Sequence, residues 1–170
     1  MKNTVLKYGL IAGGILAGVM LISFSLIPLE TQLQVGQYFG YGSMLVAFSS
    51  IFFAVRSYRE KDLGGSISFG KAFVVGLFIS LIASTLYVIT WMVMSEFMAP
   101  DFMEQYMNAA IQNMQDAGNS TTEIEAYKTE MNTWVEYYKN PLIKAALTYM
   151  EVLPVGLLVS LICGLILKKK

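Results

Sequence analysis

The sequence predicts an all-α integral membrane protein: a bundle of four transmembrane helices, with an extracytoplasmic helical hairpin between the third and the fourth. Three observations carry that prediction. First, the charges leave long gaps. Between Lys7 and Glu30 there are 22 uncharged residues, between Glu30 and Arg56 there are 25, and between Lys71 and Glu96 there are 24. Lys144 and Lys168 enclose 23 more, interrupted only by Glu151. About 20 apolar residues suffice for a helix to cross the hydrocarbon core. Second, nine of the 12 basic residues fall at the N-terminus, between the second and third gaps, and in the C-terminal tail. An even number of crossings puts these three segments on one side, and retained cytoplasmic segments carry the Lys/Arg excess. Third, the segment from Ser95 to Asn140 holds eight acids against Lys128 and Lys139, a net charge of −6, which assigns it to the outside. Four such gaps exclude a soluble domain, a nucleic-acid-binding module and a disulfide-built secreted fold. The whole chain, residues 1–170, is read as a single membrane domain.

The first span is expected over about residues 5–27. Its apolar run exceeds the 7–15 residues of a signal-peptide core, so it is read as a retained helix. Gly9, Gly13 and Ala17 recur every fourth residue, as do Gly14 and Gly18. Small residues at that spacing let helix backbones approach closely in a bilayer, so Gly9, Gly13, Gly14 and Gly18 are candidate packing residues. Leu29 to Gly36 is expected to be a short outer loop. The second span follows over about 37–58, with Tyr38, Phe39 and Tyr41 at its outer end, where aromatic rings favour the interface.

The inner loop, Arg56 to Lys71, is basic and then glycine-rich. The third span is expected over about 68–94, capped by Ser68 or Ser66. Gly65-x-x-x-x-Gly70-Lys71 spells most of a phosphate-binding loop, but Ala72 stands where a hydroxyl should hold magnesium and no strand precedes it. The run is therefore read as a turn with a positive-inside lysine.

The outer hairpin is expected over about 100–139. Pro100 is expected to start its first helix. Phe102, Met103, Tyr106, Met107, Ala110, Ile111 and Met114 form one apolar stripe at i, i+3/i+4 spacing. Gly118-Asn119 breaks it. Thr122 with Glu125 fits a capping box, Ser120 with Glu123 an alternative register. Ile124, Tyr127, Met131, Trp134, Val135 and Tyr138 form the second stripe. Thioethers at Met103, Met107 and Met114 share one helix face. Soft Cu(I) favours thioethers, but these positions belong to the apolar stripe and methionine packs adaptably, so no metal site is assigned.

Asn140-Pro141 is a cap-and-start signal for the fourth span, about 141–167. Pro154 lies inside it, removes a backbone bond and is expected to kink it. Gly156, Ser160 and Gly164 give a further row of candidate packing residues. Glu151 is the one acid inside a span, and intramembrane acids are a functional hypothesis by default. Glu151, with Pro154 beside it, is the candidate functional position; hydration at the interface, or pairing with Lys144 on the same helix face, is the structural alternative.

Histidine is absent and no nucleophile–base pair is visible, so neither an enzyme nor a catalytic residue is expected, and no cofactor. Three stretches together carry a resemblance: Leu6-Lys7-Tyr8-Gly9, Gly64-Gly65-Ser66-Ile67-Ser68-Phe69-Gly70-Lys71-Ala72-Phe73, and Leu153-Pro154-Val155-Gly156 ahead of a lysine tail. Over essentially its whole length the chain resembles the four-span membrane proteins of Bacteroidota grouped as domain of unknown function 4199. The resemblance implies a bacterial inner-membrane protein and supplies no activity. The expected role is that of a structural or interaction (accessory) protein of the envelope, with the bilayer and either further copies of itself or another membrane protein as partners. The alternatives are a small proton- or ion-coupled transporter with Glu151 in its pathway, and an envelope or lipid sensor.

Overall fold

The computed structural model describes residues 1–169, with the side chains of residues 29, 30 and 33 left out of the description, so the last lysine of the basic tail lies outside the described residues. Seven helices follow one another: α1 (Lys2–Leu26), α2 (Leu29–Phe48), α3 (Ser50–Asp62), α4 (Phe69–Phe97), α5 (Phe102–Asp116), α6 (Thr121–Tyr138) and α7 (Pro141–Leu167). Four stretches are long and apolar enough to cross a membrane: α1, the α2–α3 run from Gln34 to Asp62, α4 and α7.

Helix α4 is the centre of the bundle, with α1 on one side and α7 on the other, while α2 and α3 lie across α1 and α7. A Cβ on Gly9 would meet Ile82, and one on Gly13 would meet Leu86, so α1 and α4 run in the same direction. Gly156 lies against Ser80, Gly76 against Ser160, and Gly164 against Phe69, so α7 runs antiparallel to α4. The N-terminus, the α3–α4 loop and the end of α7 therefore share one end of the bundle. Phe48, Leu16, Met44, Ile51, Ile79, Val75 and Val152 fill its centre with less than 2% of their surface exposed.

Helices α4 and α7 meet through a matched pair of Gly-x-x-x-Ser steps. A Cβ on Gly76 would come within 2.6 Å of Ser160 Oγ, and one on Gly156 within 2.6 Å of Ser80 Oγ. Each hydroxyl donates to the carbonyl one turn back on its own helix, Ser80 to Gly76 at 2.9 Å and Ser160 to Gly156 at 2.7 Å. The two hydroxyls are 3.3 Å apart. Both are thus satisfied without water, which a bilayer interior requires, and the missing glycine side chains let the backbones close. Gly14 and Gly18 behave differently: no described atom lies within 4 Å of a Cβ on either. Successive residues of a helix are displaced by a hundred degrees or so, so the row one residue on from Gly9 and Gly13 points away from α4. Of the candidate packing residues of α1, Gly9 and Gly13 thus face α4, while Gly14 and Gly18 face no described atom of this chain.

Several boundaries also differ from expectation. The outer loop expected from Leu29 to Gly36 is helical, because α2 begins at Leu29 with Pro28 as its N-cap. Ile27, preceding that proline, is extended at φ −103° and ψ 123°, the conformation a following proline imposes. The corner between α1 and α2 is therefore only two residues wide. Helical structure continues past Arg56 to Asp62, so the basic residues Arg56, Arg59 and Lys61 are on α3. Ser49 separates α2 from α3; its hydroxyl donates to the Val46 carbonyl at 2.6 Å, locally tightening the turn.

Gly64 and Gly65 turn the chain at φ 66° and 96°, values open to glycine without steric cost. Ile67 and Lys169 then exchange both backbone hydrogen bonds at 2.9 Å, and Arg59 Nη1 donates to the Leu167 carbonyl at 3.0 Å. These bonds clasp the α3–α4 loop to the end of α7. Ser68 caps α4, accepting from the Lys71 N–H.

At the opposite end, α5 and α6 form the hairpin. Pro100 lies in the turn before α5 and is not its first residue; Asp101 is the N-cap. α5 closes with the Asn119 N–H on the Met114 carbonyl and the Gly118 N–H on that of Gln115, both 3.0 Å, while Gly118 takes φ 79°. This is the Schellman arrangement, which needs a left-handed residue at that point. α6 starts with the Ser120–Glu123 capping box, not the Thr122–Glu125 register. Of the two stripes, Met107 is buried and most other members are half-buried, but Tyr106 and Trp134 are 45% and 42% exposed. Asn140 caps α7, accepting from the Leu142 N–H at 2.9 Å, with Pro141 in its first turn.

Candidate functional site

A cavity of about 470 Å³ opens between the helices beneath the hairpin. Helix periodicity explains its walls. Residues four apart share a face, and α1 presents Met20 and Phe24, α4 presents Tyr87 and Trp91, and α7 presents Leu147 and Glu151 with Thr148 between them. Helix α2 supplies Gln32, Gly36, Gly40 and Tyr41, while Phe102 and Tyr106 of α5 and Tyr138 of α6 form the roof. Phe24, Trp91 and Phe102 pack edge-on or tilted, with centroids 5.1 to 6.1 Å apart, a geometry suited to ring quadrupoles.

Glu151 stands exposed on α7 and its surface faces this cavity. Lys144 does not hold it. The Lys144 ammonium donates to Ser95 Oγ at 3.1 Å and sits 5.2 Å above the Tyr138 ring. Among the described residues the ion pairs are Arg59–Glu60 and Glu136–Lys139, so no lysine or arginine nitrogen lies within 4.0 Å of Glu151. Pro154, one turn further on, is exposed on α7 and is not part of the cavity wall.

The wall contains further polar groups. Gln32 is nine-tenths buried. Its Oε1 accepts from Ser23 Oγ at 3.2 Å, whereas Nε2 has no partner among the described residues. Buried polar groups are nearly always paired, which makes this free donor notable. In the roof, Trp91 Nε1 donates to the Tyr138 hydroxyl. Burial pushes the Tyr138 phenol up to about 12, against the lowering effect of the Trp91 bond and with a further rise from the Glu151 charge, so Tyr138 is neutral across physiological pH.

Glu151 was legible as the one charge inside an apolar run. Gln32, Tyr87 and Tyr138 were not singled out as site residues. Gln32 lies in a polar stretch whose composition reads as loop, although Pro28 immediately ahead of that stretch is a helix-start signal. Tyr87 four residues before Trp91 was a readable pair whose facing partner no periodicity identifies. The candidate packing residues Gly9, Gly13, Gly156, Ser160 and Gly164 lie at helix contacts away from this site, and Gly76 and Ser80 of α4, which complete the contact with Gly156 and Ser160, are not singled out by the sequence reading.

Residues 7–169 match a family described as "Protein of unknown function (DUF4199)". Neither the curated proteins nor the solved structures contain a match.

Proposed function

The chain belongs to this family of unknown function, and from that premise we propose that it is a four-span accessory protein of the bacterial inner membrane, not an enzyme, with both termini cytoplasmic and the α5–α6 hairpin outside. The Bacteroidota setting comes from the sequence resemblance alone. What carries the reading is how charge is divided between the two ends of the bundle. Lys2, Lys7, Arg56, Arg59, Lys61, Lys71, Lys168 and Lys169 gather at the end where the α3–α4 loop is clasped to α7. The hairpin at the other end is strongly acidic. A Lys/Arg excess marks the retained side. At the base of the hairpin Phe97, Met98, Tyr137 and Leu142 are exposed, as suits a belt at the membrane–water interface. The folded acidic hairpin is then what the protein presents outside, to a partner or to a second copy.

A small proton- or ion-coupled transporter is the second reading. Its support is Glu151, which faces an inter-helix cavity with no lysine or arginine nitrogen within 4.0 Å among the described residues.

Cysteine labelling tests the topology on which both depend. In a Cys163→Ala background, Asn119→Cys should react with a membrane-impermeant maleimide on intact spheroplasts, and Ser66→Cys only after permeabilisation. Reaction of both before permeabilisation would overturn the four-span arrangement. Crosslinking from Tyr137 then separates the readings: a discrete adduct with a second protein or second copy supports the accessory role, and its absence leaves transport as the reading to pursue.

A further inference from the structure

We propose that the cavity beneath the hairpin is a binding site for a monovalent organic cation with an apolar or aromatic body. The inference goes beyond the accessory reading and does not depend on it.

Glu151 is the one acid that interrupts an apolar run between span ends, and an ionised group within a membrane span is costly unless it is paired or hydrated. The nearest lysine along its own helix, Lys144, is committed to Ser95 and the Tyr138 ring. Among the described residues no lysine or arginine nitrogen balances an ionised Glu151, which leaves the position open to a cation from outside the chain.

The surroundings select the kind of cation. A hard metal ion takes six or more oxygen ligands, and among the described residues no group of three acids, cysteines or histidines comes together. The same cavity is walled by Tyr41, Tyr87 and Trp91, and by Tyr138, whose ring already carries the Lys144 ammonium. Aromatic faces attract ammonium groups, tryptophan most strongly, and the attraction grows on desolvation. At about 470 Å³ the space falls within the range of small-molecule sites and exceeds what a bare ion fills. One carboxylate, several aromatic side chains and an apolar remainder together describe a quaternary or protonated amine attached to a hydrophobic group.

The chain contains two tryptophans, and Trp134 is not in the cavity wall. Trp134→Phe therefore leaves Trp91 as the only indole reporter, inside the site. The full-length Trp134→Phe protein, in nanodiscs of phosphatidylcholine, is titrated with benzyltrimethylammonium while Trp91 emission is followed. The expected result is a saturable change whose midpoint rises at least tenfold in Glu151→Gln, with the melting temperature of that variant confirming its fold. Neopentylbenzene, which has the same shape with carbon in place of the charged nitrogen, should give no saturable change. The proposal is overturned if the cation gives no saturable change, if Glu151→Gln binds equally well, or if the neutral compound matches the cation, in which case the cavity is an apolar or lipid-filled space. The neutral-compound comparison uses the native carboxylate, so it decides the matter even if Glu151→Gln does not fold.

Discussion

Ser120 and Glu123 tie the first turn of α6 to the pH of the compartment it faces. Glu123 Oε2 accepts from the Ser120 backbone N–H at 2.8 Å and from its hydroxyl at 2.7 Å, while Ser120 Oγ accepts from the Glu123 N–H. The Ser120 hydroxyl first, and its backbone next, hold the Glu123 carboxyl below its usual value of 4.5. The folded form thus favours the ionised acid. Its stabilising effect is complete above the ordinary carboxylate range and is lost as pH falls through the lowered value. A carbon-detected NMR titration of Glu123 should give a midpoint below 4.5, and Ser120→Ala should return it towards 4.5 while lowering amide protection in residues 121–125 several-fold. An unshifted midpoint in the native chain would mean that the box does not persist in solution.

Among the elements, adjacent glycines of α1 make the sharpest comparison. A Cβ at Gly13 would overlap Leu86, whereas one at Gly14 meets nothing within 4 Å. Overpacking a tight contact typically costs about 1–3 kcal/mol, while alanine in place of an unhindered helical glycine gains roughly 0.5–1 kcal/mol. Gly13→Ala should therefore lower, and Gly14→Ala hold or raise, the melting temperature in one detergent. Equal effects would contradict the placement of α1 against α4. The same pair shows what a sequence can and cannot disclose. Four-residue spacing reveals that small residues share a face, but both glycine rows have it, and only the partner helix decides which is used. Hydropathy located the spans because it is a local property of the chain. It misread residues 29–36 because Glu30, Thr31, Gln32 and Gln34 are polar, yet none of them opposes a helix, and Gln32 is sheltered beside α1 and the hairpin. The capping box was found with two registers open, and three-dimensional closure of the preceding turn at Gly118 selected the one at Ser120.

At the scale of the whole molecule, charge and hydropathy laid out the order of spans and hairpin, while the cavity was invisible in the sequence because six helices each contribute only a few residues to it. One feature of the hairpin bears on how the protein could be built and rebuilt. It leaves α4 at Phe97 and rejoins the bundle at Pro141, and the side chains of Ser95 and Lys144 touch across the gap. To the bundle, residues 98–140 are a detour that returns almost to its point of departure. They can be treated as a cassette. Replacing them with a short glycine–serine turn shortens the loop to be closed, and closure of shorter flexible loops costs less entropy. The trimmed chain should remain a four-helix bundle that melts cooperatively in detergent, with Gly76 and Gly156 still seated on their serines and the cavity unroofed. Failure to recover it folded would show that the hairpin holds the bundle together; success would make that end of the protein a socket into which other hairpins can be grafted.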